Sequence, residues 1–410
     1  MSASFLSEAD SNDEECISEP PPYHRRIAYF ISIWSFKAAI TLGLGARRLF
    51  MPKPPNLLQP EVRVYPIRPT LKNLVYRPEY FGDEPLPVYL NLHGGGWAVA
   101  DPAADEEVCS FLARNFNIIV VSVDYHKAPS WKFPYAVDDV AAIADAVIRD
   151  ESLNVDATKV AMGGFSAGGN LAFAACQLPI LTGRVHGLIG FYPPLDLTEK
   201  LEEKLKRRPK EAGTDALASS ARFLDWAYVP YGADRSNTLL SPGWARKETL
   251  PRHVYLIGAE YGTSYSPTNF LFFSYGNWGL RSCLGSPHDP FVLVSQEPRQ
   301  LRSSQLLHAA LEFRALICWA DMLCHEANQL AEYLADPELE RTNIPALSPL
   351  DGWKQGTIRW ECARGRFHAF THVAEWNRQK ERDRVKAVDE LYYRVGIWLK
   401  EEVWADRLLS

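Results

Sequence analysis

Short runs of β-branched and aromatic residues alternate along most of this chain with stretches of helical period. The runs predict eight strands, at 62–65, 74–76, 88–92, 118–124, 160–164, 188–192, 254–258 and 357–362. Helices are expected between and after them, at 105–115, 136–149, 167–177, 323–335 and 382–402. The central runs, IIVVSV at 118–123 among them, are apolar at almost every position, as parallel strands covered on both faces must be. Alternating strand and helix argues for a doubly wound, eight-stranded, mostly parallel sheet with helices on both faces. Between 197 and 250 the rhythm gives way to a charged, largely helical insertion, where such a sheet carries a cap over its C-terminal edge.

The start of the chain has a different pattern. Residues 1–24 are polar and acidic and end in Pro20, Pro21 and Pro22, too poor in apolar surface to offset the entropy of ordering. A disordered tail is expected there, followed by an N-terminal apolar helix and cap segment over 25–60 and the main domain over 61–410. Residues 27–46 are mostly apolar and flanked by Arg25, Arg26, Arg47 and Arg48, long enough to span a bilayer. Lys37 at the centre costs about 3 kcal/mol on insertion scales. Ile27, Phe30, Ile31, Trp34, Ala38 and Leu42 fall on one helical stripe. A helix packed on the domain, or lying on a membrane surface as a peripheral contact, is therefore favoured over a span.

Composition narrows the function. The chain has 410 residues, 47% hydrophobic and 23% charged, which fits a soluble globular protein with a sizeable core. A net charge of −6 with no basic, aromatic-interleaved stripe argues against a nucleic-acid partner. The 7 cysteines are scattered, with neither zinc spacing nor paired layout, and read as reduced thiols. No secretory layout opens the chain, so a cytoplasmic location is expected.

Two motifs carry chemistry. Gly164-Phe165-Ser166-Ala167-Gly168 follows a predicted strand and opens a small-residue helix. A tight strand–turn–helix elbow exposes a serine hydroxyl there, and glycines at Gly164 and Gly168 tolerate the crowding. His93-Gly94-Gly95-Gly96-Trp97 also ends a strand, and its glycines let backbone N–H groups converge on a ligand. Gly95 and Gly96, with the N–H of Ala167, are expected to form an oxyanion hole; His93 reads as a residue that orients the loop.

With DYHKAPSWKFPYAVDD at 124–139 and YPPLDL at 192–197, these motifs resemble, in order, the hormone-sensitive-lipase-like branch of the α/β-hydrolases, fungal-type members included. The resemblance implies the α/β-hydrolase fold, Ser166 as nucleophile, the HGG loop as oxyanion hole, a helical cap, and neither metal nor organic cofactor. It implies a small-molecule ester substrate with a small to medium acyl group; an acetyl ester of a natural product fits. Phe165 departs from it, since the family often has Asp there; so does Lys127-Ala128-Pro129-Ser130, where Leu-Ala-Pro-Glu is usual. A receptor-like binding protein, a lipase or an amide deacetylase on the same fold are the alternatives.

Chain order in this fold is Ser, acid, His. Gly365-Arg366-Phe367-His368-Ala369-Phe370 resembles the family's G-x-x-H-x-F and offers His368 as the base, with His372 as the alternative. The acid should follow the strand VYLIGAEY, yet that strand runs into a segment, 262–320, without lysine and without the βα rhythm. Beyond it Asp321-Met322-Leu323-Cys324-His325-Glu326 supplies the family's Asp-x-L-x-x-E, with Asp321 as acid and Glu326 as supporting residue. Joining Tyr261 to Asp321 restores the motif. Residues 262–320 are thus expected to be an insertion, of the kind a retained intron leaves, with a genuine lid as the alternative. Asp289 is the weaker acid candidate.

Overall fold

The parallel strands of this sheet are apolar on both sides because both sides are covered. In the computed structural model of the chain the described residues are 17–50, 57–79, 82–206, 218–261, 320–347, 350–372, 374–375 and 377–405. Their strands are β1 (Glu61–Arg63), β2 (Asn73–Tyr76), β3 (Leu86–Leu92), β4 (Ile119–Val123), β5 (Val155–Phe165), β6 (Gly187–Phe191), β7 (His253–Tyr261), β8 (Arg341–Leu347), β9 (Leu350–Gln355) and β10 (Ile358–Phe367). They form one sheet in the order β1-β2-β4-β3-β5-β6-β7-β10-β9-β8. The six from β4 to β10 are parallel, and antiparallel pairs close both edges. Side chains alternate across the layer: Val88, Leu90 and Leu92 of β3 join one core, and Tyr89 joins the other.

Helix α1 (Tyr23–Phe50) precedes the sheet; α2 (Glu106–Phe116), α3 (Tyr135–Ile148) and α4 (Ala167–Ala175) follow β3, β4 and β5. Helices α5 (Leu201–Lys206) and α6 (Ala218–Tyr228) fall in the segment expected to form the cap, α7 (Ala320–Leu334) follows β7 among the described residues, and α8 (Arg378–Trp398) closes the fold. Leu112 of α2 and Leu391 of α8 enter the core on the Tyr89 side, whereas Val140 of α3, Leu171 of α4 and Leu330 of α7 enter the other.

Three expectations are revised. The sheet has ten described strands instead of eight, the addition being the β8–β9 edge. Pro345 disguised β8 in the sequence, but an edge strand tolerates proline because its outward N–H needs no partner, and the ladder shifts register between Ile344 and Leu347. Second, Ile17–Pro22 had been read as part of the tail, yet Ile17 bridges Asp234, and Ser18 N–H donates to Ala233 O at 2.9 Å. Third, the stripe Ile27, Phe30, Ile31, Trp34, Ala38 and Leu42 does not pack on the domain. It faces outward, and α1 seats its opposite side, with Ile33 and Phe36 buried. Lys37 turns inward, and its ammonium donates to Ala98 O (2.6 Å) and Ala128 O (2.8 Å). Residues 1–16 of the expected tail, and 262–319 of the expected insertion with Asp289, lie outside the described residues.

Candidate active site

The turn between β5 and α4 consists of Ser166 alone. Its backbone sits at φ 50°, ψ −121°, a region that costs a residue with a side chain about 1–3 kcal/mol. Neighbouring contacts enforce it. Ser166 N–H donates to Phe191 O at 2.9 Å. A Cβ on Gly168 would stand 2.1 Å from Leu92 O, and one on Gly164 2.4 Å from the same oxygen, so only glycines allow the elbow to press against the end of β3. Phe165, at the position where the resembled family often has Asp, is buried and stacks on Phe191 with ring centroids 4.3 Å apart.

His368 follows β10 directly, and its Nε2 lies 3.0 Å from Ser166 Oγ. The ring leans on Tyr192 at 4.6 Å and is buried. Burial first, and His372 second, pull its pKa down to about 3, which keeps the imidazole neutral and able to accept a proton. Its other nitrogen, Nδ1, is buried and has no hydrogen-bond partner among the described residues. Asp321 enters as a backbone position, the second residue of α7; its side chain lies outside what is described. The backbone places that helix start at the right end of the sheet. Tyr261, the last residue of β7, pairs with Phe367 immediately before His368. Cys324, one turn into α7, packs over Gly258 of β7 and lies 3.4 Å from Cys362 of β10, sulfur to sulfur.

The glycine loop lies across the elbow. Gly95 adopts φ 117°, where a Cβ would stand 2.3 Å from Val99 O. Among the described residues nothing accepts from the N–H of Gly95 or Gly96. The N–H of Ala167, first in α4, has no carbonyl one turn back. His93 does not touch Ser166: it is buried, stacks on Tyr125 at 4.5 Å, and its Nδ1 lies 2.7 Å from Gly94 O. Tyr125 hydroxyl donates to His93 O at 2.9 Å, which ties the loop to the segment after β4. Trp97 stacks on Tyr228 of α6 at 4.4 Å and donates to Asn170 of α4 at 3.3 Å, joining loop, cap and elbow helix.

Ser166 and His368 open into a cavity of about 230 Å³ whose wall is mainly apolar. Phe36, Ile40 and Leu44 of α1 and Leu224 of α6 contribute to that wall, a role the sequence pattern had not revealed. Trp97 reaches the cavity, whereas Trp226 and Tyr231 lie elsewhere and bond each other, indole to hydroxyl, at 2.7 Å. Glu326, two turns from the start of α7, accepts from Leu195 N–H (2.8 Å) and Asp196 N–H (3.0 Å) and pairs with Lys204 at 2.6 Å. It thereby holds the PPLD loop, whose Pro194 meets the cavity.

His372 has its own acid. Its Nε2 lies 2.9 Å from Asp105 Oδ1, and Asn91 donates to the second carboxylate oxygen at 2.6 Å. The sequence marked Asp105 as a helix start; only the fold reveals it as a buried anchor for the loop that begins at His368. Thr371 Oγ1, 2.8 Å from Nδ1, completes the clamp. Replacing His372 with Ala should therefore lower kcat by roughly 10- to 100-fold with little change in KM, because a base displaced by about 1 Å loses reactive geometry. Steady-state kinetics on a soluble ester reads this split.

The described geometry matches a known lineage. The profile of a family described as alpha/beta hydrolase fold covers residues 89–265. Carboxylesterase NlhH of Mycobacterium tuberculosis is 32% identical over 234 residues, 53% of this chain and 71% of that protein. The chain belongs to the alpha/beta hydrolase fold family. The ethyl acetate hydrolase of Pseudomonas putida is 34% identical over 187 residues, 42% of this chain and 55% of that protein. The chain thus spans about half the length of the first curated relatives it matches, 46% and 55%. Among solved structures, the thermostable carboxylesterase EstE1 from a metagenomic library superposes with a TM-score of 0.59 at 20% identity, covering 90% of this chain and 97% of that one, a likeness of fold.

Proposed function

We propose that this member of the family is a serine carboxylic-ester hydrolase. The observation that carries the reading is the 3.0 Å approach of His368 Nε2 to the hydroxyl of the strained Ser166. In this scheme His368 takes the proton as Ser166 Oγ attacks an ester carbonyl, and the N–H groups of Gly95, Gly96 and Ala167 receive the developing oxyanion. The alcohol leaves with the proton from His368. Water, deprotonated by the same imidazole, then cleaves the acyl-enzyme and restores the serine. Asp321 is the acid of the scheme: the Nδ1 of His368, without a partner among the described residues, calls for a carboxylate, and the first turns of α7 pack on the β7–β10 pair.

A short acyl group, acetyl foremost, fits the small apolar cavity and accords with a relative named for ethyl acetate. A series of p-nitrophenyl esters of graded chain length tests this: kcat/KM should peak at two to four acyl carbons, and a maximum at long chains would overturn the substrate assignment. Covalent capture of a fluorophosphonate at Ser166 tests the reaction class, and an unlabelled serine in folded protein would overturn it.

The pH profile follows from the burial of His368. The base works only when neutral, and its pKa lies well below the 6.5 of free imidazole. The plateau of kcat/KM should therefore extend below pH 6.5, and activity should fall only as pH drops toward the pKa of the buried ring. Asp321→Asn, by removing a charge that favours imidazolium, should move that acid limb lower still.

A further inference from the structure

We propose that the outer face of α1 is a docking surface for an anionic lipid bilayer, on which the protein lies without crossing it. The inference goes beyond the reaction at Ser166 and does not depend on it. The helix has two apolar faces where a domain-packed helix needs one. Ile33, Phe36, Ile40 and Leu44 face the protein, and Phe36, Ile40 and Leu44 line the Ser166 cavity. On the opposite side Tyr23, Ile27, Phe30, Ile31, Trp34 and Leu42 form a continuous exposed stripe, with Tyr23 at 76% and Leu42 at 74% exposure. From Tyr23 to Leu42 the stripe runs about 28 Å along the helix, a contiguous row of large apolar side chains of the kind that marks an interaction surface.

Charge identifies the occupant. In a chain of net charge −6, α1 carries Arg25, Arg26, Arg47 and Arg48 near its ends, besides the inward Lys37, and no acidic residue. Apolar side chains flanked by cations suit the interface of an anionic bilayer, where burial of the stripe and attraction to the headgroups add. Residues 1–16, with five carboxylates and few apolar side chains, match the charge but not the stripe. By length and composition α1 could span a membrane, and with only 11% of its most apolar window buried it is no core helix; what opposes a span is its central cation, Lys37, which is engaged with the protein. Lys37 bonds two carbonyls, Ala98 O beside the glycine loop and Ala128 O, so the inner face stays on the hydrolase domain and only the outer face is available. An ester dissolved in the bilayer would then meet the protein at the helix whose other side lines the cavity.

Flotation of the full-length protein with phosphatidylcholine vesicles, with and without phosphatidylserine, tests the proposal. Wild type should float with the phosphatidylserine vesicles and be released by high salt. Ile31→Glu combined with Leu42→Glu should reduce partitioning by about tenfold or more, and Arg25→Glu by about fivefold. All three positions are exposed, so turnover of a soluble ester should stay at the wild-type level, a readout of fold and site separate from vesicle binding. Failure of wild type to float, or equal flotation of the variants, would overturn the proposal. So would bound protein that resists alkaline carbonate, as a spanning helix does. A dimer that the double variant splits, in a protein that ignores vesicles, would instead identify the face as a self-interface and equally overturn it.

Discussion

Ser166→Ala should lower the turnover of p-nitrophenyl acetate by about 10⁴-fold or more, while unfolding in urea stays near that of wild type. The side chain makes one hydrogen bond of note, to His368, and the elbow is held by backbone contacts that alanine keeps: the bond from its N–H to Phe191 O and the close approach of Gly164 and Gly168 to Leu92. Loss of the hydroxyl therefore removes the attacking atom without releasing the turn. Residual hydrolysis over water would report the proposed oxyanion donors alone, since preorganised N–H groups act without the nucleophile. Turnover within tenfold of wild type would place the nucleophile elsewhere.

Glu326→Ala should destabilise the fold by about 3–5 kcal/mol, read as a lower midpoint in urea. Its carboxylate is buried, and burial works against its ionised form, with Lys204 opposing that effect. The Lys204 side chain is itself only 7% exposed. Truncation would strand an ammonium in the interior and leave the N–H groups of Leu195 and Asp196 without their acceptor. Such a change costs more than the net contribution of the pair, because the uncompensated charge remains. Glu326→Gln keeps an acceptor for the two amides and should lose less. Because Pro194 borders the cavity, KM should also rise in the alanine variant at temperatures where it is folded.

How much of this was legible beforehand depended on the range of the interaction. The parallel strands announced themselves because burial on both faces leaves no polar alternation, and IIVVSV became β4 within one residue at each end. The elbow and the glycine loop were equally visible, since their geometry depends on residues adjacent in sequence: a strand end, a glycine without Cβ, a helix start. The edge strand β8 was hidden by a proline that only an edge position tolerates. The stripe on α1 was read with the right period, but the domain and a membrane surface both remained open as its setting, because periodicity states that a face is apolar but not what covers it.

By itself, then, the sequence determined the local devices: a doubly wound sheet, a strained serine turn, a glycine loop at the end of a strand, and a histidine after the last parallel strand. Tertiary structure decided the pairings across distance. His368 meets a serine 202 residues away, His372 meets Asp105 instead, Glu326 meets Lys204, and α1 meets the cavity with the side opposite to its most regular stripe. The physical reason is common to all of them. Secondary structure and turn chemistry depend on neighbours along the chain, whereas a buried charge or a cavity wall takes its partner from whichever element the sheet order brings alongside.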